Sequence, residues 1–206
     1  MTEIKIIVTE KRGSVPKGFS EEEKKRVKQK LLDECKACWQ KYGYKKTSVD
    51  MLCQNIGIAK GSFYHFYETK ETLFYEVIVR IQEDLYEKVE SRLKQDPSKI
   101  GVASALKEVY AEYIAHPFMY DNKSPDFLSF INKLSESQRR QLNENSYVGT
   151  KFMLNKPFLK LKVEEDLAIS ILSAMLNTIA HKDEMLSDPK AVFGFMIDHL
   201  IDDIFE

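Results

Sequence analysis

The stretch IGIAKGSFYHFYETKETLF, residues 56–74, decides how the N-terminal part of the chain folds, because four aromatic rings and a histidine follow one another in it. Over residues 60–67 a helix of two turns places Phe63, Phe66 and Tyr67 on one face, at spacing i, i+3, i+4. A helix this short is not stable alone in water, so its large rings must stabilise it by packing against neighbouring helices. The ring-bearing face is therefore predicted to be buried.

The opposite face of this helix is polar. It carries Lys60, Gly61, Tyr64 and His65, and Ser62 adds a further hydroxyl. These groups can donate hydrogen bonds to phosphates or to base edges, and glycine lets another backbone approach closely. The alternative interpretation is an ordinary amphipathic helix, with a buried aromatic stripe and plain surface residues opposite it.

The segments before this helix supply a context for it. A capping box at residues 20–23 begins a long helix that Gly43 is expected to end. A second capping box at residues 47–50 begins a short helix whose apolar face starts at Val49 and which ends at Gly57. A short helix, a glycine turn and another short helix have the spacing of a helix-turn-helix unit, whose second helix enters the major groove of DNA.

The remainder of the chain also has helical patterns, and no convincing strand pattern follows residue 20. We therefore predict an all-α protein. Its later helices are expected after Thr69, over 101–116, from Ser124-Pro125-Asp126, from Ser135 to before Pro157, from Glu164 to about His181, and from Asp188 to the last residues.

Charge is distributed unevenly between the two ends of the chain. Residues 1–75 hold 15 Lys and Arg against 10 Asp and Glu, whereas the remainder holds 16 against 22. A basic N-terminal part favours contact with a polyanion, although a solvated basic face with no partner has the same composition. The basic arm at residues 1–19, with a strand-like run at 4–8, could contact DNA or be a plain terminus.

Composition argues against several other classes of protein. Cys35, Cys38 and Cys53 are too few for a disulfide framework, and we weigh a thiol redox switch against buried apolar cysteines. No apolar run is long enough to span a bilayer and no secretory leader is evident, so we expect a cytoplasmic protein. No catalytic triad order, phosphate-binding glycine loop or metal-ligand motif is present, so we expect no enzymatic activity, no cofactor and no metal site.

The motifs also resemble a known family. The DNA-binding domain of TetR-type transcriptional regulators is similar to Gly43-x-x-x-Thr47-Ser48-Val49, to Ile56-Gly57-Ile58-x-Lys60-Gly61-Ser62-Phe63-Tyr64-His65-Phe66 and to Lys70-Glu71-x-Leu73. One departure is Ala59, where the family pattern usually has a serine that can cap the recognition helix. By position, the resemblance implies phosphate contacts by Thr47 or Ser48, Lys60, Tyr64, His65 and Lys70, and close approach or base contact at Gly61 and Ser62.

The resemblance also implies an organisation for the whole chain. It divides the sequence into an N-terminal arm (1–19), a helix-turn-helix domain (20–68) and a helical ligand-binding and dimerisation domain (69–206). It implies a homodimer built on the last two helices. The residues agree, because apolar cover on those helices is wider than one small core requires.

The expected function is that of a sequence-specific DNA-binding regulator, a repressor that a small apolar or aromatic ligand releases from its operator. The alternative is a helical ligand-binding or scaffold protein whose helix-turn-helix no longer binds DNA. Aromatic residues and one histidine are candidates for the lining of a ligand pocket, although such rings also fill ordinary cores. They are Tyr110, Tyr113, Phe118, Phe127, Phe130, Phe152, Phe158 and His181.

Overall fold

The computed structural model describes residues 20–116, 118 and 124–206, with the side chains of 144–150 and 152 excepted. The arm at 1–19, with its predicted strand, lies outside the described residues. Among the described residues the structure consists of helices joined by turns, and extended segments pair only at an isolated bridge between Leu161 and Phe205. The prediction of an all-α fold is confirmed.

The helices are labelled in chain order. They are α1 (Glu21–Lys46), α2 (Val49–Ile56), α3 (Lys60–Phe63), α4 (Lys70–Gln95), α5 (Lys99–Ala115), α6 (Pro125–Ile131), α7 (Glu136–Leu154), α8 (Glu165–Asn177), a 3-10 helix (Thr178–Glu184) and α9 (Pro189–Ile204). None of these helices is long and apolar enough to cross a membrane, over the part of the chain that the structure describes.

Most helices begin where the sequence predicts a cap. Ser20 and Ser135 each form a complete capping box, and Thr69 accepts a hydrogen bond from the backbone N–H of Thr72. Ser124 caps α6, whose first position is Pro125. These side chains accept hydrogen bonds from N–H groups that have no partner within the helix, and each such cap stabilises its helix by about 1 kcal/mol.

The junction between α1 and α2 differs from the sequence prediction in two ways. Gly43 kinks α1 with φ +82° rather than ending it, and one further turn runs to Lys46. The predicted capping box at residues 47–50 is wrong, because Ser48 is the cap of α2 and accepts from the N–H of Met51. Thr47 instead donates its hydroxyl to the carbonyl of Gly43, at 2.8 Å. Two adjacent residues that can both cap a helix look equivalent in the sequence.

Buried apolar side chains form two clusters. The N-terminal cluster joins α1, α2 and α3 to the first half of α4, and also includes side chains from α6 and α7. Its largest fully buried members are Trp39, Leu31, Leu52, Phe63, Leu73, Phe74 and Phe130. The C-terminal cluster is built from the end of α4 together with α5, α8, α9, the end of α7 and the 3-10 helix. Its largest fully buried members are Tyr110, Leu106, Leu172, Phe193 and Phe205.

Helix α4 belongs to both clusters. Leu73 to Ile81 pack into the N-terminal cluster, whereas Val89 and Leu93 pack into the C-terminal one. Helix α6 lies later in the sequence than α4 and α5, yet it packs against α1. The core that supports the helix-turn-helix unit therefore includes residues well beyond position 68.

Candidate nucleic-acid interface

The recognition segment is a single helical turn, α3, followed by further turns through Phe66. It is shorter than the helix over 60–67 that the sequence predicts, and the N–H groups of Phe66 and Tyr67 both bond to the carbonyl of Phe63. Phe63 and Tyr67 are buried and Phe66 is half-buried. Burying a ring of this size contributes about 1.5–3 kcal/mol, so this face anchors a segment that has few helical hydrogen bonds of its own.

The polar face of the same segment is open to solvent. Tyr64 is 54 % exposed although it touches Phe63, with ring centroids 5.4 Å apart. Lys60, Gly61 and His65 are exposed and Ser62 is half-exposed. A Cβ added to Gly61 would meet no other atom within 4 Å, so this part of the surface is open to a close approach. The arrangement presents ammonium, phenol, imidazole and hydroxyl groups together on one surface.

Lys60 forms a surface ion pair in this structure. Its ammonium lies 2.8 Å from Oδ2 of Asp50 on α2, and both side chains are exposed. The hydrogen bond that Lys60 donates to the Asp50 carboxylate raises the pKa of Lys60. Exposed ion pairs contribute little to stability, so exchanging the carboxylate for a phosphate costs little.

Two of the residues assigned to DNA by resemblance face inward. Thr47 is fully buried, and its hydroxyl is bonded to Gly43, so it is not at the surface as the sequence suggested. Its neighbour Ser48 is exposed and caps α2. Of the two hydroxyls proposed for the same phosphate, only that of Ser48 is accessible here.

Lys70 has a similar orientation. Its ammonium donates to the carbonyls of Tyr44 and Thr47 at 2.7 and 2.8 Å, and lies 3.9 Å from the centre of the Tyr44 ring. Burial lowers the pKa of this half-buried lysine. A lysine at the start of α4 therefore binds the carbonyl ends of the turn between α1 and α2.

Sequence reasoning missed the polar groups that surround this turn. Tyr44 donates its hydroxyl to Glu71 Oε1, and Lys133 lies 3.4 Å from the same oxygen. Burial raises the pKa of the Tyr44 phenol, and the hydrogen bond to Glu71 raises it further. Asp126 of α6 accepts hydrogen bonds from the backbone of Tyr44 and Lys45. These partners lie between 27 and 82 positions apart in sequence, so no local motif could indicate them.

The candidate ligand-lining residues are not brought together into one site. Tyr110 and Tyr113 pack in the C-terminal cluster, where the Tyr110 ring stacks on Phe193 at 4.1 Å. Phe118, Phe127 and Phe130 pack instead on the N-terminal cluster. The remaining described candidates, Phe158 and His181, are exposed, and the side chain of Phe152 lies outside the described residues.

The three cysteines are buried. Burial raises the pKa of Cys35 well above its usual value and that of Cys38 to about 11, and it also raises the pKa of Cys53. Thiolate is the reactive form of cysteine, so these environments favour the inert, apolar role. No group of three or more potential metal ligands occurs among the residues that the structure describes.

A short helix held by its aromatic face, preceded by a capped helix and a left-handed glycine turn at Gly57, defines a helix-turn-helix DNA-binding protein. The sequence profile of the bacterial regulatory proteins of the tetR family matches residues 31–77. This match covers α2, α3 and the adjoining parts of α1 and α4.

Two repressors and one solved structure also resemble this chain. The HTH-type transcriptional repressor AcnR of Corynebacterium diphtheriae is 23 % identical over 171 residues, which are 74 % of this chain and 76 % of AcnR. The HTH-type transcriptional repressor Rv1474c of Mycobacterium tuberculosis is 34 % identical over 84 residues, or 41 % of each chain. The crystal structure of FadR from Bacillus subtilis in complex with stearoyl-CoA has the same fold, with a TM-score of 0.66 at 13 % identity over 85 % of this chain and 98 % of that one. These comparisons support a regulator of the TetR family, whose profile matches the helix-turn-helix part of the chain.

Proposed function

We propose that this protein is a homodimeric repressor that binds a DNA operator through α2 and α3 and leaves it when a small ligand binds the C-terminal part of the chain. The observation that carries the DNA-binding step is the two-sided recognition segment, with Phe63 and Tyr67 inside and Tyr64 and His65 outside. The repressor relatives AcnR and Rv1474c support the direction of regulation.

The proposed DNA contacts are the accessible groups of the helix-turn-helix unit. Lys60, Tyr64 and His65 reach phosphate, Ser48 reaches phosphate from the cap of α2, and Gly61 with Ser62 lies against the bases. For Thr47 and Lys70 we propose a supporting role, because their polar atoms bind the backbone of the turn before α2.

The proposed dimer interface lies on α8 and α9. Both helices contribute to the C-terminal cluster, yet each leaves a large apolar side chain in solvent: Leu167 on α8 is 51 % exposed and Phe195 on α9 is 67 % exposed. Ile171, one turn after Leu167, is half-exposed, as are Met196 and Leu200 on α9. Apolar side chains exposed on two neighbouring helices are typical of a surface that a second subunit covers.

The proposed ligand is a small apolar or aromatic molecule. FadR, which shares the fold, was crystallised with stearoyl-CoA, a ligand with a long apolar chain. Coupling between ligand and operator is a difference in affinity, commonly of about 1–3 kcal/mol.

Selection of bound duplexes from a random DNA pool tests this function directly. The proposal predicts that a single sequence with two-fold symmetry is enriched, since a symmetric dimer reads two half-sites. Repeating the binding measurement with stearoyl-CoA and with small aromatic compounds tests the ligand step. If no sequence is enriched over the starting pool, the chain is a helical ligand-binding or scaffold protein that has lost DNA binding. Ala59 favours that alternative, because it leaves α3 without a side-chain cap.

A further inference from the structure

We propose that Asp126 of α6 is a positioning residue for operator binding: its carboxylate holds the turn that leads from α1 into α2 and thereby fixes the orientation of the helix-turn-helix unit. This inference rests on the proposed function. It concerns a residue outside α1–α4, in a helix that precedes α7 by only a short turn.

The contact is bidentate and directed at the backbone. Oδ2 of Asp126 accepts from the N–H of Tyr44 at 2.6 Å, and Oδ1 accepts from the N–H of Lys45 at 2.9 Å. These N–H groups follow the kink at Gly43, where the helical ladder of α1 is interrupted. The carboxylate therefore caps the last turn of α1 from a distance of more than 80 residues in sequence.

Gly43 fits this contact in two respects. Its φ of +82° lies in the left-handed region, which glycine adopts without strain. A Cβ at this position would also lie only 2.8 Å from Oδ2 of Asp126. Any side chain here would push the carboxylate away from the two N–H groups.

The other end of the turn is held by a charge of opposite sign. Lys70 donates to the carbonyls of Tyr44 and Thr47, and Thr47 is followed directly by Ser48, the cap of α2. A carboxylate at the N–H end and an ammonium at the carbonyl end match the direction of the backbone dipoles. The start of α2 is therefore set by one residue from α6 and one from α4.

Helix α6 is itself fixed, so it can act as a support. Phe130, one turn after Asp126, is fully buried, and its ring lies 5.0 Å from Trp39 and 6.0 Å from Phe74. Phe127 adds a further ring contact with Phe130. Asp126 is thus presented to the turn by a helix that is packed into the N-terminal cluster.

Simple electrostatics predicts the opposite effect of removing this charge. A carboxylate lost from a DNA-binding domain makes the domain less negative, which strengthens contact with phosphate at every sequence. If Asp126 holds the turn, its removal weakens binding to the operator in particular. The sign of the change in operator affinity separates the two accounts.

The experiment compares two dissociation constants for full-length variants: one for the duplex enriched on the wild-type protein, and one for a random-sequence duplex of equal length. For Asp126→Asn we expect the constant for the enriched duplex to rise about tenfold, the equivalent of one charge-assisted hydrogen bond. The constant for the random duplex should stay the same or fall. Asp126→Ala, which removes both acceptors, should show the larger loss, and Asp126→Asn carries the test if the alanine variant does not fold.

Glu68→Gln is the matched control, because it removes an exposed carboxylate from the segment between α3 and α4, beside the recognition segment. It should leave the ratio of the two constants unchanged. A ratio for Asp126→Asn that equals the wild-type ratio overturns the positioning role. A wild-type protein that prefers no duplex overturns the proposed function itself, so the two failures are distinguishable.

A double-mutant cycle on stability tests the contact without DNA. Part of the cost of Gly43→Ala is the clash with the carboxylate, so this substitution should lower the free energy of unfolding less in an Asp126→Ala background than in the wild type. Equal costs in the two backgrounds would show that Asp126 does not approach Gly43 in solution.

Discussion

At the scale of single residues, the direction of each polar side chain decides its role, and direction was only partly predictable. The exposure of Tyr64 and the burial of Phe63 follow from helical spacing, so the sequence predicted both. Thr47 and Lys70 occupy motif positions expected to face DNA, yet both bind backbone carbonyls. Their partners are set by the kink at Gly43, and spacing alone does not reveal it.

The difference between the two lysines leads to a prediction about salt. A lysine that neutralises a phosphate contributes about 0.9 to the slope of log affinity against log salt concentration. Because the proposed dimer brings two copies of Lys60 to the operator, Lys60→Met should reduce the slope by about 1.8. Lys70→Met should leave the slope unchanged and lower the free energy of unfolding, because two carbonyls lose their donor. Equal losses of slope in titrations of both variants would contradict the supporting role of Lys70.

His116 gives a prediction about pH. Burial lowers the pKa of this histidine, and the positive charges of Lys36 and Lys88 lower it further. The hydrogen bond to Glu112 and the charge of that residue act in the opposite direction. A histidine whose pKa is lowered by folding binds a proton more readily in the unfolded chain than in the folded one. Its contribution to stability is thus present above the unfolded pKa, about 6.5, and is lost as the pH falls through the folded value.

Denaturant unfolding from pH 8 to pH 5 measures this effect. The free energy of unfolding should fall more steeply below about pH 6.5 for the wild type than for His116→Gln. His181→Gln, at an exposed histidine, is the control for loss of an imidazole. Parallel curves for the wild type and His116→Gln would show that His116 does not contribute to the pH dependence of stability.

At the scale of helices, caps and apolar periodicity predicted where most elements begin, because both signals are local. Ser20, Thr69, Ser124 and Ser135 all cap as expected. The packing of α6 against α1 was not predictable, since it joins segments about 80 residues apart. For the same reason the sequence could not assign Phe118 and Phe130 to the N-terminal cluster rather than to a ligand pocket.

The cap of α3 can be improved. Ala59 has the extended backbone of a cap, with φ −69° and ψ 144°, but makes no side-chain hydrogen bond. Ala59→Ser should raise the free energy of unfolding by about 0.5–1 kcal/mol and strengthen operator binding. Ser48→Ala, which removes the existing cap of α2, should lower the free energy of unfolding by about 1 kcal/mol. An Ala59→Ser variant no more stable than the wild type would show that the hydroxyl finds no N–H partner.

Two helical glycines should respond in opposite directions to alanine. In α5, a Cβ on Gly101 would lie 1.9 Å from the carbonyl oxygen of Asp96, so Gly101→Ala should lower the free energy of unfolding by about 1–3 kcal/mol. In α9, a Cβ on Gly194 would meet only Lys107 Cε, at 3.7 Å. Gly194→Ala should raise the free energy of unfolding by about 0.4–1 kcal/mol, because alanine restricts the conformations of the unfolded chain. Chemical denaturation of both variants should show these opposite signs, and a neutral Gly101→Ala would mean that the loop after α4 moves freely.

At the scale of the whole molecule, the two clusters share α4, and the proposed partner subunit covers α8 and α9. Phe195→Asp places a charge on the exposed apolar surface of α9, where a partner would bury it. We expect this variant to be monomeric in light scattering and to lose operator binding, since half-sites are read in pairs. Ile100→Asp, at a side chain that is 65 % exposed on α5, is the matched control and should remain dimeric. If the Phe195→Asp protein remains dimeric, the dimer interface does not lie at this surface of α9.

Whether the open face of α3 is the DNA interface is tested most directly by the dissociation constant of Tyr64→Ala for the enriched duplex. Tyr86→Ala is the control, because Tyr86 is a partly exposed tyrosine in the middle of α4, away from the helix-turn-helix unit. The account predicts that Tyr64→Ala weakens binding about tenfold or more, as loss of a contact worth about 1.4 kcal/mol would, while Tyr86→Ala binds like the wild type. A Tyr64→Ala protein that is folded, dimeric and unchanged in affinity would contradict it.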